Sequence, residues 1–323
     1  WLILYVKKKS KSVYRKKPFL KNLFILGTSY GFGFFFFGIY WIANSLTFDD
    51  SFKYLIPFSL ILVPLFLSLF FSLPILLIGN FCEKNISSIF LISLTFSLSD
   101  FIRSKILTGF PWNIWSYSFS WSIESLQILH IIGIFSLNVF IITIFFLPSI
   151  FFMKNKSKYF FISFFVILIF SNYFYGSYKI NSMQQTDNSK KINFKIVSAG
   201  MNLSDFKDDL EVASKLIKYS DPEKKKKTIF VWPEGIFLNE NFHQKSDVKN
   251  LFTRAFSENH LIILGANTVK ITSLGQKYFN SMIVVDKNLK FISQYDKKKL
   301  VPFGEFLPFE KFLSKFGFKK ITP

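Results

Sequence analysis

The chain has 323 residues, half of them hydrophobic, and it carries a formal net charge of +20. Such a basic balance can indicate nucleic-acid binding. Here, however, the lysines are dispersed or flank apolar runs, and no arginine-rich stripe with stacking aromatics accompanies them, so we expect no nucleic-acid partner. The single cysteine, Cys82, excludes an intrachain disulfide.

Apolar runs fill residues 19–178, and lysine-rich polar sequence follows. A bilayer core requires about 20 apolar residues in a helix. Five runs meet or approach this length without internal charge, and a shorter one resembles the end of an earlier span. They are 23–48, 54–78, 85–99 (extending towards 107), 125–153 and 159–178, with 1–6 as the remnant. One such run could be a buried helix of a soluble protein, but five in series predict a transmembrane helical domain over residues 1–180.

Positive charge in the short loops predicts the orientation of these spans. Residues 7–21 carry eight lysines and arginines, and three further lysines lie within 154–158. Both loops should face the cytoplasm. Alternation of the spans then places everything after about residue 179 on the periplasmic side.

Three features of the apolar half stand out. Asp100 and Arg103 are three residues apart, so they share one helix face and can form an ion pair. Charges inside a membrane favour a functional role, although a structural pair near the interface would give the same pattern.

Trp112 follows a Gly-Phe-Pro break and belongs either to a lipid-binding loop or to an ordinary interfacial aromatic belt. Gly27 and Gly31, four residues apart, favour close approach of another helix.

The polar half predicts an α/β domain over residues 190–323. Short β-rich runs and amphipathic helical runs alternate at first, and a hairpin follows. The expected strands are 194–199, 228–232, 261–269, 278–286 and 291–295, and the expected helices are 204–219 and 247–259. In such layered domains, ligand sites form beyond the carboxyl ends of strands.

A candidate acyl-transfer site follows from three charged residues at such strand or loop ends. Glu234 ends the stretch Val-Trp-Pro-Glu, Lys297 lies 297 − 234 = 63 residues later, and Glu305 ends Val-Pro-Phe-Gly-Glu. A carboxylate can take a proton from a nucleophile if an apolar setting raises its pKa, and we expect Trp232 and Phe237 to provide that setting for Glu234. A fixed ammonium can stabilise a developing oxyanion. The second carboxylate can hold that ammonium in place.

Together and in this order, these residues resemble the site of the nitrilase superfamily, which uses a glutamate, a lysine, a second glutamate and a cysteine. Combined with the apolar half, the chain resembles the apolipoprotein N-acyltransferases along nearly its whole length. The matching stretches are 30–41, 107–112 (Leu-Thr-Gly-Phe-Pro-Trp), 231–234, 278–281 and 300–305 (Leu-Val-Pro-Phe-Gly-Glu).

The resemblance implies a fold and a role for individual residues. The fold would be a multi-pass helical bundle joined to a nitrilase-like α-β-β-α sandwich. Glu234 would be the general base, Lys297 the oxyanion stabiliser and Glu305 the supporting glutamate. Lys297 is chosen over its two lysine neighbours because it precedes the 300–305 stretch by three positions. Substrate-binding positions would be Trp112, Trp232 and Asn280.

The implied activity moves an acyl chain from a phospholipid to the N-terminal amine of a diacylglyceryl-cysteine lipoprotein through a thioester. It would take place at the bacterial inner membrane, with no cofactor or metal; the histidines at 130, 243 and 260 are scattered. The family's nucleophilic cysteine lies further beyond the lysine than the 323 − 297 = 26 residues that follow it here, and Cys82 is expected at the cytoplasmic face. We therefore expect a chain truncated at both ends, with an incomplete and inactive catalytic domain.

Two alternatives remain from the residues alone. A membrane-anchored amidase of the same superfamily would use the same charged residues on a small amide. A catalytically inactive membrane scaffold would account for the lack of a thiol near the site.

Overall fold

The computed structural model describes most of the chain and divides it into two compact units. The described residues are 2–12, 19–47, 50–106, 109–153, 157–184, 192–198, 200, 208–237, 239, 241–272, 275–301, 305–307 and 309–316. The units are Trp1–Asp187 and Asn188–Pro323. Each is described below by itself.

The first unit is helical. Its helices are α1 (Leu2–Ser12), α2 (Phe19–Ile39), α3 (Ile56–Ile78), α4 (Ile86–Arg103), α5 (Ile123–Leu126), α6 (Leu129–Ile150) and α7 (Lys158–Gln184), with 3-10 turns at Tyr40–Thr47, Asp50–Leu55 and Trp115–Phe119. Five segments are long and apolar enough to cross a membrane: Phe19–Thr47, Phe52–Ile78, Ile86–Arg103, Leu129–Ile150 and Lys158–Met183. The predicted multi-pass helical region is confirmed at this level.

Helices α2 and α3 approach each other closely at two glycines. A Cβ atom on Gly27 would lie 2.5 Å from the Ser72 Cα, and one on Gly31 would lie 2.9 Å from the Ser68 Cα. Neither distance leaves room for a methyl group. The close approach predicted from the spacing of these glycines is therefore confirmed.

A serine of α4 supplies one hydrogen bond that the backbone of α3 cannot make by itself. Pro74 has no amide proton, so it cannot donate to the carbonyl of Phe70 four residues earlier. In the structure, the Ser99 hydroxyl donates to that carbonyl at 2.7 Å. The bond satisfies a polar group that lipid cannot satisfy, and it ties α3 to α4.

Two helices of this unit have bounds that differ from those of the predicted apolar runs. The run 125–153 is not one continuous helix, because α5 ends at Leu126 and Gly133 interrupts α6 with φ 71° and ψ 168°, a left-handed conformation that glycine tolerates. The first helix is longer than the predicted remnant at 1–6. It continues to Ser12 because lysine is a good helix former, and Lys7 donates to the Asn80 carbonyl at 2.6 Å and to that of Cys82 at 3.0 Å.

The second unit contains a five-stranded mixed sheet in the order β1-β2-β3-β4-β5. The strands are β1 (Asn193–Ile196), β2 (Thr228–Val231), β3 (His260–Thr272), β4 (Gly275–Val285) and β5 (Phe291–Asp296), and its helices are α8 (Asp209–Ser220), α9 (Ser246–Ala255) and α10 (Glu310–Leu313). Strands β1, β2 and β3 pair in parallel, and β3, β4 and β5 pair antiparallel. The predicted α/β class is confirmed.

The two faces of the sheet differ. Phe230, Ile262 and Ile283 point to one face and pack in a buried core with side chains of α8 and α9. On the other face, Ile196 and Met282 are 78% and 51% exposed. The described strands form this one sheet, so the second sheet of the sandwich implied by resemblance stays a prediction.

The predicted helix boundaries shift at both helices of this unit. The predicted start of the first helix, at residue 204, lies outside the described residues, and α8 begins after Asp208. Helix α9 ends at Ala255 rather than near 259, because Phe256 takes an extended conformation and is buried in the core. Packing of one aromatic side chain thus ends the helix earlier than its polar sequence suggests.

Candidate active site

Glu234 lies in a turn that follows β2 and crosses over β3. The Trp232 N–H continues the parallel pairing by donating to the Ile263 carbonyl at 2.8 Å, and the Gly265 N–H donates to Pro233 at 3.2 Å. Gly235 then reverses the chain with φ 62°. The backbone bonds on both sides of Glu234 fix where its side chain begins.

Gly265 allows this turn to sit directly on β3. A Cβ atom at that position would lie 2.6 Å from both the Glu234 Cα and the Gly235 N. These are backbone atoms, so no rotamer change could relieve the overlap. Only glycine lets the turn that carries Glu234 approach this closely.

Lys297 follows β5 immediately and brings the two predicted carboxylates together. Its backbone N–H donates to the Asn280 carbonyl at 2.9 Å, which prolongs the β4–β5 pairing by one residue. Its ammonium lies 3.0 Å from Glu234 Oε1 and 2.9 Å from Glu305 Oε1. The choice of Lys297 over its neighbour agrees with this geometry, because the Lys298 ammonium lies instead 5.9 Å from the ring centroid of Tyr295.

Glu305 is fixed through both carboxylate oxygens. One accepts from Lys297, and the other accepts from the Val301 N–H at 2.9 Å. The Glu305 N–H in turn donates to the Val301 carbonyl at 2.9 Å. Residues 302–304, part of the predicted loop motif, lie outside the described residues. The contacts of Glu305 are those expected of a residue that holds a lysine.

The charges of this group support one another. Burial lowers the pKa of Lys297, but hydrogen bonds to Glu305 and Glu234 outweigh burial and raise the pKa above its ordinary value. Burial raises the pKa of Glu305, but the bonds from Lys297 and the Val301 N–H outweigh it and lower the pKa. Both groups are therefore charged at neutral pH.

The setting of Glu234 differs from the apolar one expected. Its side chain is 64% exposed, and its Oε1 also accepts from the Asn280 amide at 2.8 Å. Asn280 and Lys297 together orient the carboxylate from one side. The exposure leaves Glu234 accessible to a substrate or to a nucleophile.

The remaining predicted site residues lie in different surroundings. Trp232 is buried in the core, packs on Phe252 and donates its indole N–H to the Ser220 hydroxyl at 2.9 Å, so it supports the sheet from behind. Trp112 belongs to the first unit, where its half-exposed ring lies 5.3 Å from that of Trp41. Cys82 is buried in the turn after α3. Among the described residues, no cluster of three or more His, Cys, Asp or Glu side chains could hold a metal ion.

A second polar cluster, which the sequence did not suggest, lies behind Lys297. Asp296 pairs with the Lys270 ammonium and accepts from the Ser281 hydroxyl at 2.8 Å and the Gln294 amide at 2.7 Å. These bonds, led by that from Lys270, lower the pKa of Asp296 to about 2. Because side chains alternate along a strand, Asp296 points to the face opposite Lys297. It anchors the strand end that carries the lysine.

The comparisons with known proteins agree with this combination of units. The profile of the apolipoprotein N-acyltransferase N-terminal domain matches residues 11–147. Apolipoprotein N-acyltransferases of Allorhizobium ampelinum, Rhizobium leguminosarum and Agrobacterium fabrum are 26%, 27% and 25% identical to the chain over 94%, 93% and 92% of its length. The chain spans 58% of the length of each of these relatives. With the five apolar helices, the matches support a multi-pass bacterial membrane protein. The chain is thus similar to the apolipoprotein N-acyltransferases across both of its units.

Proposed function

We propose that the protein transfers an acyl chain from a phospholipid to the N-terminal amine of a diacylglyceryl-cysteine lipoprotein through a thioester. The names of the relatives support the lipoprotein N-acylation, and the charged group at Glu234, Lys297 and Glu305 supports the chemistry. The observation that carries the proposal is an ammonium held within 3.0 Å of two carboxylates, one of them mostly exposed.

In the first step, a cysteine thiol attacks the ester carbonyl of the phospholipid. Glu234 accepts the thiol proton as the sulfur–carbon bond forms, since a free thiol is only a few per cent thiolate near neutral pH. The carbonyl oxygen becomes an oxyanion, and the lysophospholipid oxygen then leaves with the proton from Glu234. The product is an acyl thioester on the protein.

In the second step, the α-amine of the lipoprotein attacks the thioester. The nitrogen–carbon bond forms, the sulfur–carbon bond breaks, and the amine proton passes through Glu234 to the leaving thiolate. The result is an amide and a regenerated thiol. Both substrates are amphiphiles, which gives a physical reason for joining this chemistry to apolar helices.

Lys297 is suited to stabilise the oxyanion in both steps. An ammonium has three N–H donors, and its described partners, Glu234 and Glu305, take two of them. The third can face the developing charge. One such interaction in a site shielded from water is worth about 3 kcal/mol.

The nucleophile and the orientation belong to the same proposal. We infer that the attacking cysteine lies outside these 323 residues, since the only cysteine in the chain, Cys82, is buried in the first unit. We also infer that the second unit faces the periplasm, on the basis of the positive loops. Reading the coding sequence downstream of Pro323 tests the first point: an in-frame cysteine supports it, and its absence favours an inactive scaffold.

The central test is formation of the acyl-enzyme in the full-length gene product. Membranes or detergent-purified protein are incubated with an alkyne-tagged phospholipid, and the thioester is detected by labelling and by its cleavage with neutral hydroxylamine. Glu234→Gln and Lys297→Met should each reduce labelling by at least about a hundredfold. Lys298→Met, which alters the adjacent exposed lysine, is the matched control and should label normally. Normal labelling of either site variant would refute its assigned role, and hydrolysis of small amides without phospholipid labelling would favour the amidase.

A further inference from the structure

We propose that Arg103, Asp100 and Asn138 are positioning residues that hold the loop 109–119, and with it Trp112, in the conformation that receives the phospholipid. The inference rests on the proposed function for the identity of the substrate. It concerns residues that need not touch that substrate.

Arg103 fixes the first part of the loop. Its side chain is 1% exposed and ends in a guanidinium that donates to the Phe110 carbonyl at 2.7 Å and to the Trp112 carbonyl at 2.6 Å. The same guanidinium pairs with Asp100 at 2.8 Å and lies 5.1 Å from the ring centroid of Phe35 on α2. A planar fork with several donors can bridge these partners, whereas an ammonium acts as a point charge. The main-chain position of Trp112 thus depends directly on Arg103.

Asn138 on α6 fixes the later part of the loop. Its amide oxygen accepts from the Ser116 N–H at 3.0 Å, and its amide nitrogen donates to the second oxygen of Asp100 at 2.9 Å. The Ser116 hydroxyl also donates to the Ile134 carbonyl at 3.0 Å. Asp100 therefore connects the two anchors, and the segment between residues 110 and 116 is tied to α4 and α6 at once.

The side chains between these anchors are held closely. Asn113 has φ 57°, and a Cβ atom on Gly38 would lie 1.9 Å from its amide nitrogen. Trp112 is 49% exposed and rests edge-on against Trp41. The loop backbone is thus fixed while one large aromatic face is left open, which is the arrangement a recognition surface requires.

The hydrogen bonds of Arg103 lead to the loop, so the role of this cluster is not limited to joining α4 and α6. A buried ion pair adds little net stability compared with apolar packing, and Asp100 with Asn138 would suffice to link α4 to α6. Arg103 instead directs one of its terminal nitrogens to two loop carbonyls. The energetic cost of burying the charges is therefore balanced by bonds that specify the conformation of the loop.

Exchanging the carboxylate of Asp100 and the amide of Asn138 tests the hydrogen-bond network while keeping both side chains polar. Asn138→Asp places two carboxylates against each other and should raise the phospholipid KM about tenfold while changing kcat less than threefold, because it displaces a binding surface rather than a reacting group. The double variant Asp100→Asn/Asn138→Asp restores one amide–carboxylate bond and should return KM to within threefold of the wild-type value. Arg103→Lys keeps the charge without the fork and should behave like Asn138→Asp. Ser104→Ala, which removes only a hydroxyl bonded to its own helix at Phe101, is the control and should leave KM unchanged.

Hydrogen–deuterium exchange in the full-length protein provides the second measurement. Peptides covering 109–119 should exchange at least about tenfold faster in Asn138→Asp and Arg103→Lys, with peptides from α9 unchanged as the internal reference. Unchanged exchange in this segment, or faster exchange with wild-type KM, would overturn the proposal, as would a loss confined to kcat. If the wild-type protein takes no acyl chain from phospholipid, the proposed function fails instead, and the exchange experiment still reports whether the network holds the loop.

Discussion

Replacing Gly265 by alanine should displace Glu234 without changing a single charged or polar side chain. The new methyl group would lie 2.6 Å from the Glu234 Cα, and ordinary contact begins at 3.4 Å. The turn must therefore move by about 3.4 − 2.6 = 0.8 Å. Such a shift along the bond would lengthen the Lys297–Glu234 contact from 3.0 Å to about 3.8 Å, beyond hydrogen-bonding distance.

A misplacement of this size in a catalytic group costs about a hundredfold in rate, or about 2.7 kcal/mol of activation free energy. We expect Gly265→Ala to reduce the rate of acyl-enzyme formation from tagged phospholipid by that factor, and to lower the free energy of unfolding by about 1–3 kcal/mol through overpacking. Gly33→Ala is the matched control, because a Cβ at that position meets nothing within 4 Å. A stably folded Gly265→Ala protein that labels at the wild-type rate would refute the argument that this close approach positions Glu234.

Three further predictions follow from the contacts described. Asn280→Ala should slow acyl-enzyme formation by about 10- to 150-fold, because Glu234 loses one charge-assisted bond worth about 1.5–3 kcal/mol; a change in phospholipid KM alone would indicate direct substrate binding instead. Gly27→Ala should lower the unfolding temperature in detergent by forcing α2 from α3, at a cost of about 1–3 kcal/mol, whereas Gly33→Ala should not. The lowered pKa of Asp296, about 2, makes its carboxylate stabilising above its ordinary value of 3.8. That contribution, on the order of 1 kcal/mol for a surface pair, should fade as pH falls from about 4 to about 2, and acid unfolding of Asp296→Asn should lack this phase.

The three charged residues that the sequence singled out lie together in the structure, and their catalytic roles stay a prediction. Lys297 could be chosen from three adjacent lysines because its distance from the Leu-Val-Pro-Phe-Gly-Glu stretch is characteristic, and its contacts agree with that choice. The expected apolar setting of Glu234 was wrong, because Trp232 and Phe237 point into the core while the carboxylate faces outward. Residues close in sequence can lie in different environments when the chain turns sharply between them, as it does at Gly235.

The supporting residues could not be identified in the same way. Gly265 is one of 14 glycines, and only the pairing of β3 with the preceding turn gives it a role. Strand alternation could have placed Asp296 opposite Lys297, but its partner Lys270 comes from β3 through pairing across β4. Asn138 lies 38 residues from Asp100 in an otherwise apolar run. These partners depend on register and helix packing, which periodicity does not specify.

The bond from Ser99 to Phe70 has a consequence for biogenesis. A nascent chain enters the bilayer one hydrophobic segment after another, and α3 arrives with a carbonyl that its own proline has left open. Until α4 supplies the Ser99 hydroxyl, that oxygen has no hydrogen-bond donor, because the hydrocarbon core of the bilayer contains none. The α3–α4 hairpin, rather than α3 alone, thus provides a partner for this carbonyl, and the two helices should insert as a pair.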